Sequence, residues 1–253
     1  SSMTLSRSCS TARLALAALV LGVFAAPPAF AAWDSLDINC GVAGSSTDNG
    51  DGSFTVVGGG ADIWDVSDGF RYMYQQMSGN FRITARVVSQ DFTDGWAKAG
   101  VMVRQDLTGG SINANTVATP SGSNNQIPFQ YRDTPGGATA GGGNFNNNNT
   151  FPYWVRLVRV GSNFVSYASA DGTDWRFINS HTLTTTMTDT VYAGLCVTAH
   201  NDGLTSSVVF DNITIDSGTV LPAPWYDMDT GTEENPQWGG SARSRRRIAS
   251  SNS

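Results

Sequence analysis

Short runs of β-branched and aromatic residues recur along this chain, and almost every one is cut off by glycine, asparagine or aspartate. That punctuation leaves no stretch after residue 32 with the helical period, and it predicts strands joined by tight turns. Eleven strands are expected, near Phe54–Val57, Phe70–Met77, Phe81–Ser89, Trp96–Arg104, Ala114–Thr119, Ile127–Arg132, Tyr153–Val160, Phe164–Ser169, Trp175–Asn179, Val191–Ala199 and Ser207–Ile215. Turn clusters such as Ser78-Gly79-Asn80, Asp171-Gly172 and Asn201-Asp202-Gly203 separate them. The expected class is all-β, a two-sheet antiparallel sandwich or barrel. A low-complexity stretch from Pro135 to Thr150, with Gly141-Gly142-Gly143 and a run of asparagines from Asn146 to Asn149, reads as a loop between two strands.

Composition narrows the chemistry. The 253 residues carry two Glu, both in the C-terminal tail (Glu233 and Glu234), one Lys (Lys98), two His and three Cys. A Glu acid–base pair cannot be built in the main body, and neither a His-rich metal centre nor a Cys-based zinc site is available. The net charge of −6 disfavours nucleic acid and anionic membranes as partners.

The two ends differ from the middle. Arg7 and Arg13 precede an apolar run from Leu14 to Ala26, then Ala29-Phe30-Ala31, so residues 1–31 read as a secretory signal peptide. The run is too short for a membrane span, which needs ~20 apolar residues. Residues 32–217 form the expected domain, in a secreted or cell-surface setting. Residues 218–253, with Pro222, Pro224, Pro236 and Arg245-Arg246-Arg247, read as a linker or disordered tail. Trp225-Tyr-Asp-Met-Asp-Thr echoes Trp33-Asp-Ser-Leu-Asp-Ile, as a truncated second repeat would. Cys40 and Cys196 remain in the domain; the count permits one disulfide, or two unpaired thiols.

Alternation sorts each strand into two faces. Ala97, Ala99, Val101 and Val103 point inward, as do Phe81, Ile83, Ala85 and Val87, and Val191, Ala193, Leu195 and Val197. The outward sets hold Trp96, Lys98, Arg104, Gln130, Arg132, Trp154, Arg156 and His200. Indoles beside guanidinium and amide groups suit sugars: a ring stacks on the apolar face of a pyranose, and planar donors meet hydroxyls. These eight residues are the expected carbohydrate contacts, on one wall. The number of arginines points to an acidic polysaccharide.

Gly60-Ala61-Asp62-Ile63-Trp64, the strand Trp96–Arg104, Phe129-Gln130-Tyr131-Arg132, Tyr153-Trp154-Val155-Arg156-Leu157, Ser169-Ala170-Asp171-Gly172 with Trp175, and Phe210-Asp211-Asn212 together resemble the bacterial secreted domain similar to the "regulation of enolase" family. The resemblance runs from about Trp33 to Ile215. It implies an extracellular jelly roll of the concanavalin A-like lectin/glucanase kind, often found beside carbohydrate-active or adhesive modules. It implies no settled activity.

The glucanases of that fold use a Glu-x-Asp-x-Glu strand, which is missing. Trp96-Ala97-Lys98-Ala99-Gly100 is similar to the Tyr-Phe-Lys-Ala-Gly strand of alginate lyases, and Arg104, Gln130, Arg132, His200 and Tyr192 are of the types a lyase needs. Trp96 replaces the tyrosine, however, and no Gln-x-His motif appears. Asp62, Asp65, Asp68, Asp91 and Asp94 read as turn formers. The expectation is therefore a non-catalytic, lectin-like domain with no catalytic residue and no cofactor. A polysaccharide lyase on the same face is the alternative, and a structural or adhesive domain is a third reading. Structural calcium could bind Asp211 and loop carboxylates, but no loop has recognisable ligand spacing and no metal is assigned.

Overall fold

The computed structural model describes residues 32–120, 126–146 and 151–217. The signal peptide and tail expected at 1–31 and 218–253 lie outside the described residues. Within them run β1 (Asp34–Ile38), β2 (Ser45–Asp48), β3 (Phe54–Gly58), β4 (Phe70–Ser78), β5 (Phe81–Gln90), β6 (Lys98–Arg104), β7 (Asn113–Ala118), β8 (Gln126–Arg132), β9 (Ala140–Asn146), β10 (Tyr153–Val160), β11 (Asn163–Ser169), β12 (Trp175–Thr182), β13 (Thr190–Thr198) and β14 (Ser206–Ser217). Seven form a front sheet in the order β1-β4-β13-β6-β7-β8-β9, and seven a back sheet in the order β12-β11-β10-β5-β14-β3-β2. Every pairing is antiparallel. This is a two-sheet jelly-roll sandwich, as expected.

The three strands that the sequence did not announce are β1, β2 and β9. The first two are short, half exposed and rich in Ser and Asp. The third replaces the expected loop with an edge strand: β9 pairs with β8 from Gln126↔Asn146 to Tyr131↔Ala140, with a bulge between Phe129 and Gln130. Its glycines hid it, because an edge strand can be held by its backbone ladder with few side chains to pack.

Alternation holds. Ala99, Val101 and Val103 of β6 meet Ile83, Ala85 and Val87 of β5, Val155 and Leu157 of β10, and Ala193, Leu195 and Val197 of β13 in one buried core between the sheets. Full burial of each larger aliphatic side chain contributes about 1.5–3 kcal/mol. Cys40 and Cys196 are both free. The Cys40 Sγ–H donates to the Ile38 carbonyl at 3.4 Å.

What positions the site is a covering segment between β3 and β4. It leaves the back sheet at Gly58 and crosses the outer face of the front sheet before entering it at Phe70. Gly60 turns the chain at φ 99°, where a Cβ would strike the Gly69 carbonyl. Ile63 then seats on Tyr72, Met102, Val117 and Cys196, making a second apolar cluster outside the sheet. Outward on β6 does not therefore mean exposed: Lys98, Met102 and Arg104 are all buried.

Candidate functional site

The segment is fastened at its far end by Asp68. Its carboxylate is fully buried between two arginines. Arg132 donates to Asp68 through both terminal nitrogens, at 2.7 and 2.6 Å. It also reaches the carbonyls of Trp64, Asp65, Gly109, Ser111 and Gly137. Arg104 lies 3.4 Å from the same carboxylate, donates to the Asp106 carbonyl at 2.8 Å and sits over the Phe70 ring at 4.9 Å. Burial lowers the Arg104 pKa, opposed by Asp68. Asn113 gives the carboxylate another donor at 3.2 Å. Two sealed guanidiniums have no edge left for a ligand, which removes Arg104 and Arg132 from the expected contact set. Their work is to hold the segment that carries Asp62 and Trp64.

At its near end the segment borders an open cleft of about 560 Å³, lined by Asp62, Trp64, Trp96, Lys98, Pro128, Gln130, Gly141, Gly143, Asn144 and His200. The volume falls in the ~300–1,000 Å³ range of small-molecule sites. The structure brings together Trp96, Lys98, Gln130 and His200 of the eight expected residues. It does not bring Trp154 and Arg156: both stand on β10, in the back sheet, on the other side of the sandwich. There Arg156 lies 3.6 Å over the Trp175 ring, and Arg86 lies 5.7 Å over Trp154. The single wall of eight residues is thus two separate faces.

Each lining group is held by its neighbours. Lys98 begins β6 and is 2% exposed; its Nζ donates to Asp62 and, at 3.1 Å, to the Ile63 carbonyl. Burial lowers the Lys98 pKa, with Asp62 pulling it back up. The ammonium also lies 5.6 Å from the Trp64 ring centre. His200 follows β13 with a left-handed φ of 52°, sparsely populated for a residue with a Cβ. Its Nε2 is 3.3 Å from Asp62 and its Nδ1 is 3.2 Å from Asp94. Asp94 also accepts the Trp96 backbone N–H at 2.7 Å, which fixes the rim loop that presents the Trp96 indole. Trp96 is 39% exposed.

On the opposite side, Gln130 is 5% exposed, and its Oε1 has no hydrogen-bond partner among the described residues. Gly141 and Gly143 of β9 add no side chain to the space, and Gly143 has φ 145°. Sequence reasoning missed Asp62, Trp64 and Asn144 as lining residues, and it missed the purpose of the glycines. The signal available was Asp62-Ile63-Trp64 itself, an aromatic and an acid on a loop. Tyr192, which a lyase would need nearby, is not among the lining residues; it packs edge-on to Tyr74 instead. Among the described residues no group of three or more His, Cys, Asp or Glu gathers as a metal site, and no helix is long and apolar enough to cross a membrane.

The fold and the cleft define a jelly roll with a small-molecule-sized hollow on its front sheet. No protein-family model and no curated protein matches the chain. Among solved structures, the chain is similar to a functionally unknown protein from Saccharomyces cerevisiae, with TM-score 0.56 and 16% identity over 74% of this chain and 97% of that one. It is also similar to the carbohydrate binding module CBM66 from Bacillus subtilis, with TM-score 0.47 and 17% identity over 72% and 95% of the two chains. A third is the VIP36 exoplasmic/lumenal domain in a Ca2+/Man3GlcNAc-bound form, with TM-score 0.46 and 8% identity over 76% and 86%. Likeness at these identities speaks to the fold alone.

Proposed function

We propose that this domain binds a saccharide in the cleft on its front sheet, without catalysis. The observation that carries the reading is the pairing of two indoles, Trp64 and Trp96, with a polar floor of Asp62, Lys98, Gln130 and His200 in one hollow. Indole faces stack on the C–H face of a sugar ring, and the polar groups meet its hydroxyls.

A lyase on this face would need free cations to neutralise a substrate carboxylate and a tyrosine or histidine to move the proton. The guanidiniums nearest the cleft are closed by Asp68, the ammonium is engaged by Asp62, Tyr192 is elsewhere, and His200, the histidine in the cleft, has a carboxylate beside each ring nitrogen. The binding reading needs none of those groups to be free.

Affinity electrophoresis through a panel of polysaccharides tests it, with Trp96→Ala and Gln130→Ala beside the parent domain. Retardation that both substitutions abolish is the expected result. A domain that runs unretarded through every gel overturns the reading and leaves the adhesive alternative.

A further inference from the structure

Three of the four large apolar side chains exposed among the described residues, Phe92, Trp96 and Leu204, stand on two loops at one rim of the cleft. Phe92 and Trp96 belong to the loop that crosses from β5 in the back sheet to β6 in the front sheet, and Leu204 to the loop that returns from β13 to β14. Each loop gives the cleft one lining residue, Trp96 from the first and His200 from the second. A single exposed apolar side chain is ordinary on any protein surface. Here, however, the backbone beneath is fastened while the rings are left bare.

The Asp91 N–H donates to the Ser207 carbonyl at 2.9 Å, and the Ser206 hydroxyl donates to the Asp91 carbonyl at 3.0 Å. The Thr93 hydroxyl donates to the Ala199 carbonyl at 2.7 Å. These bonds bracket Phe92 and lace the two loops together. The chain then turns, with the Ala97 N–H donating to the Asp94 carbonyl at 3.2 Å. Phe92 is 59% exposed against 39% for Trp96, and among the described residues neither has another ring or a cation against it. Their positions in the chain hold the two Cα atoms within about 14 Å of each other. An aromatic ring on a fastened backbone is a pre-organised platform, because little conformational freedom is left to lose when a ligand settles on it.

What separates the rings indicates the occupant. Thr93, Asp94 and Gly95 lie between Phe92 and Trp96, and Asn201, Asp202 and Gly203 precede Leu204, so the apolar groups do not merge into the contiguous patch that marks a protein interface. Asp91, Asp94 and Asp202, with no Lys or Arg in residues 91–97 or 199–205, disfavour an anionic membrane. Rings spaced by polar side chains match a glycan chain, in which C–H faces recur among hydroxyls.

We propose that Phe92 is a second stacking platform outside the hollow, and that the ligand is a glycan chain long enough to reach both Phe92 and Trp96. The proposal rests on the saccharide reading above and narrows it from a single sugar to an oligomer. The probes are cello-, xylo-, manno- and laminari-oligosaccharides from monomer to hexamer, titrated by calorimetry into the parent protein, Phe92→Ala and Trp96→Ala.

In a series that binds, affinity should rise about two- to tenfold from the short members to the long ones, the worth of one aromatic contact. Phe92→Ala should abolish that rise and leave both the affinity of the shortest binding member and the thermal midpoint unchanged, because the ring stands mostly in water. Trp96→Ala should weaken every member. Affinity that does not depend on length, or a rise that Phe92→Ala leaves intact, overturns the second platform while the saccharide reading stands. No binding by any oligosaccharide, together with unretarded migration in the polysaccharide gels, overturns the saccharide reading and the platform with it, and leaves the exposed rim as a contact for a protein.

Discussion

The two outer faces of the sandwich carry the same kinds of residue and use them differently. On the front sheet, Arg104 and Arg132 are consumed by one buried carboxylate, and the indoles nearby, Trp64 and Trp96, border an open hollow. On the back sheet the arginines lie on the indoles themselves, Arg156 over Trp175 and Arg86 over Trp154. Trp154 is enclosed further by the Asp171-Gly172 turn, where a Cβ on Gly172 would come within 2.8 Å of its ring. An indole already stacked has no face to offer a sugar. The covering segment on the front sheet gives Arg104 and Arg132 another partner and leaves Trp96 without a cation on its ring and partly exposed, whereas Trp64 has the Lys98 ammonium beside it; the back sheet has no such segment among the described residues.

Breaking that difference should have its largest effect at Asp68. Asp68→Ala leaves two guanidiniums buried without their counter-charge, a change that typically costs about 3–5 kcal/mol. Urea unfolding of the variant should show that loss, and saccharide binding should fall with it as Asp62 and Trp64 lose their mooring. A loss under about 1 kcal/mol, the scale of a surface ion pair, would mean that the segment is held by its apolar contacts through Ile63 instead.

Why half of the site was legible follows from what alternation can tell. The inward–outward sorting of β5, β6, β8, β10 and β13 is local and period two, so it could be read residue by residue. Whether an outward face is open depends on what crosses it. The crossing segment is eleven residues of irregular chain between β3 and β4, whose only local mark is glycine at both ends. Which strands share a sheet is equally non-local. Trp154 and Trp96 look alike in the sequence, yet β10 and β6 belong to opposite layers. The glycines of β9 misled in the other sense: low complexity suggested a loop, whereas small residues there keep the cleft clear.

A smaller effect should separate the two faces functionally. Trp96→Ala removes a stacking platform worth about 0.5–1.5 kcal/mol beyond its buried area, so saccharide affinity should drop several-fold to tenfold. Trp154→Ala should leave affinity unchanged while costing stability, because its ring packs against Arg86 and Trp175. Equal losses of affinity from both would return the back sheet to the site. Gly141→Leu sharpens the same test. Nothing lies within 4 Å of a Cβ at Gly141 and its φ is not left-handed, so the variant should fold with nearly parental stability while its side chain occupies the cleft. Retained binding in that variant would place the ligand outside the hollow.

The smallest effect on stability is expected at the edge of the back-sheet face, where Arg86 donates to Asp211 at 2.7 Å in a half-exposed pair. Asp211→Ala should cost roughly 0–1 kcal/mol, and less at high salt. Measured beside Asp68→Ala, it isolates burial as the difference between two Arg–Asp contacts of similar chemistry.

The thiols then report whether the front face stays covered, without a free-energy change. Cys196 lies under Ile63, and burial pushes its pKa up from 9.0 to about 12. Burial, with Asp37 and Asp202 beside it, pushes Cys40 up to about 11. Alkylation needs the thiolate. At pH ~8 Cys40 should therefore react on the order of a hundredfold more slowly than an unfolded cysteine, gaining about tenfold per pH unit, and Cys196 should not react until the segment opens. Both shifts raise the folded-state value, so the stability they contribute is complete below the ordinary thiol pKa of 9.0 and is lost as pH rises toward about 11 and 12. Asp68→Ala should expose Cys196 to the reagent while leaving the Cys40 rate alone. Fast labelling of Cys196 in the parent protein at neutral pH would show that the segment lifts off the sheet without any substitution, and the contrast between a covered face and an open cleft would then be one of populations rather than of structure.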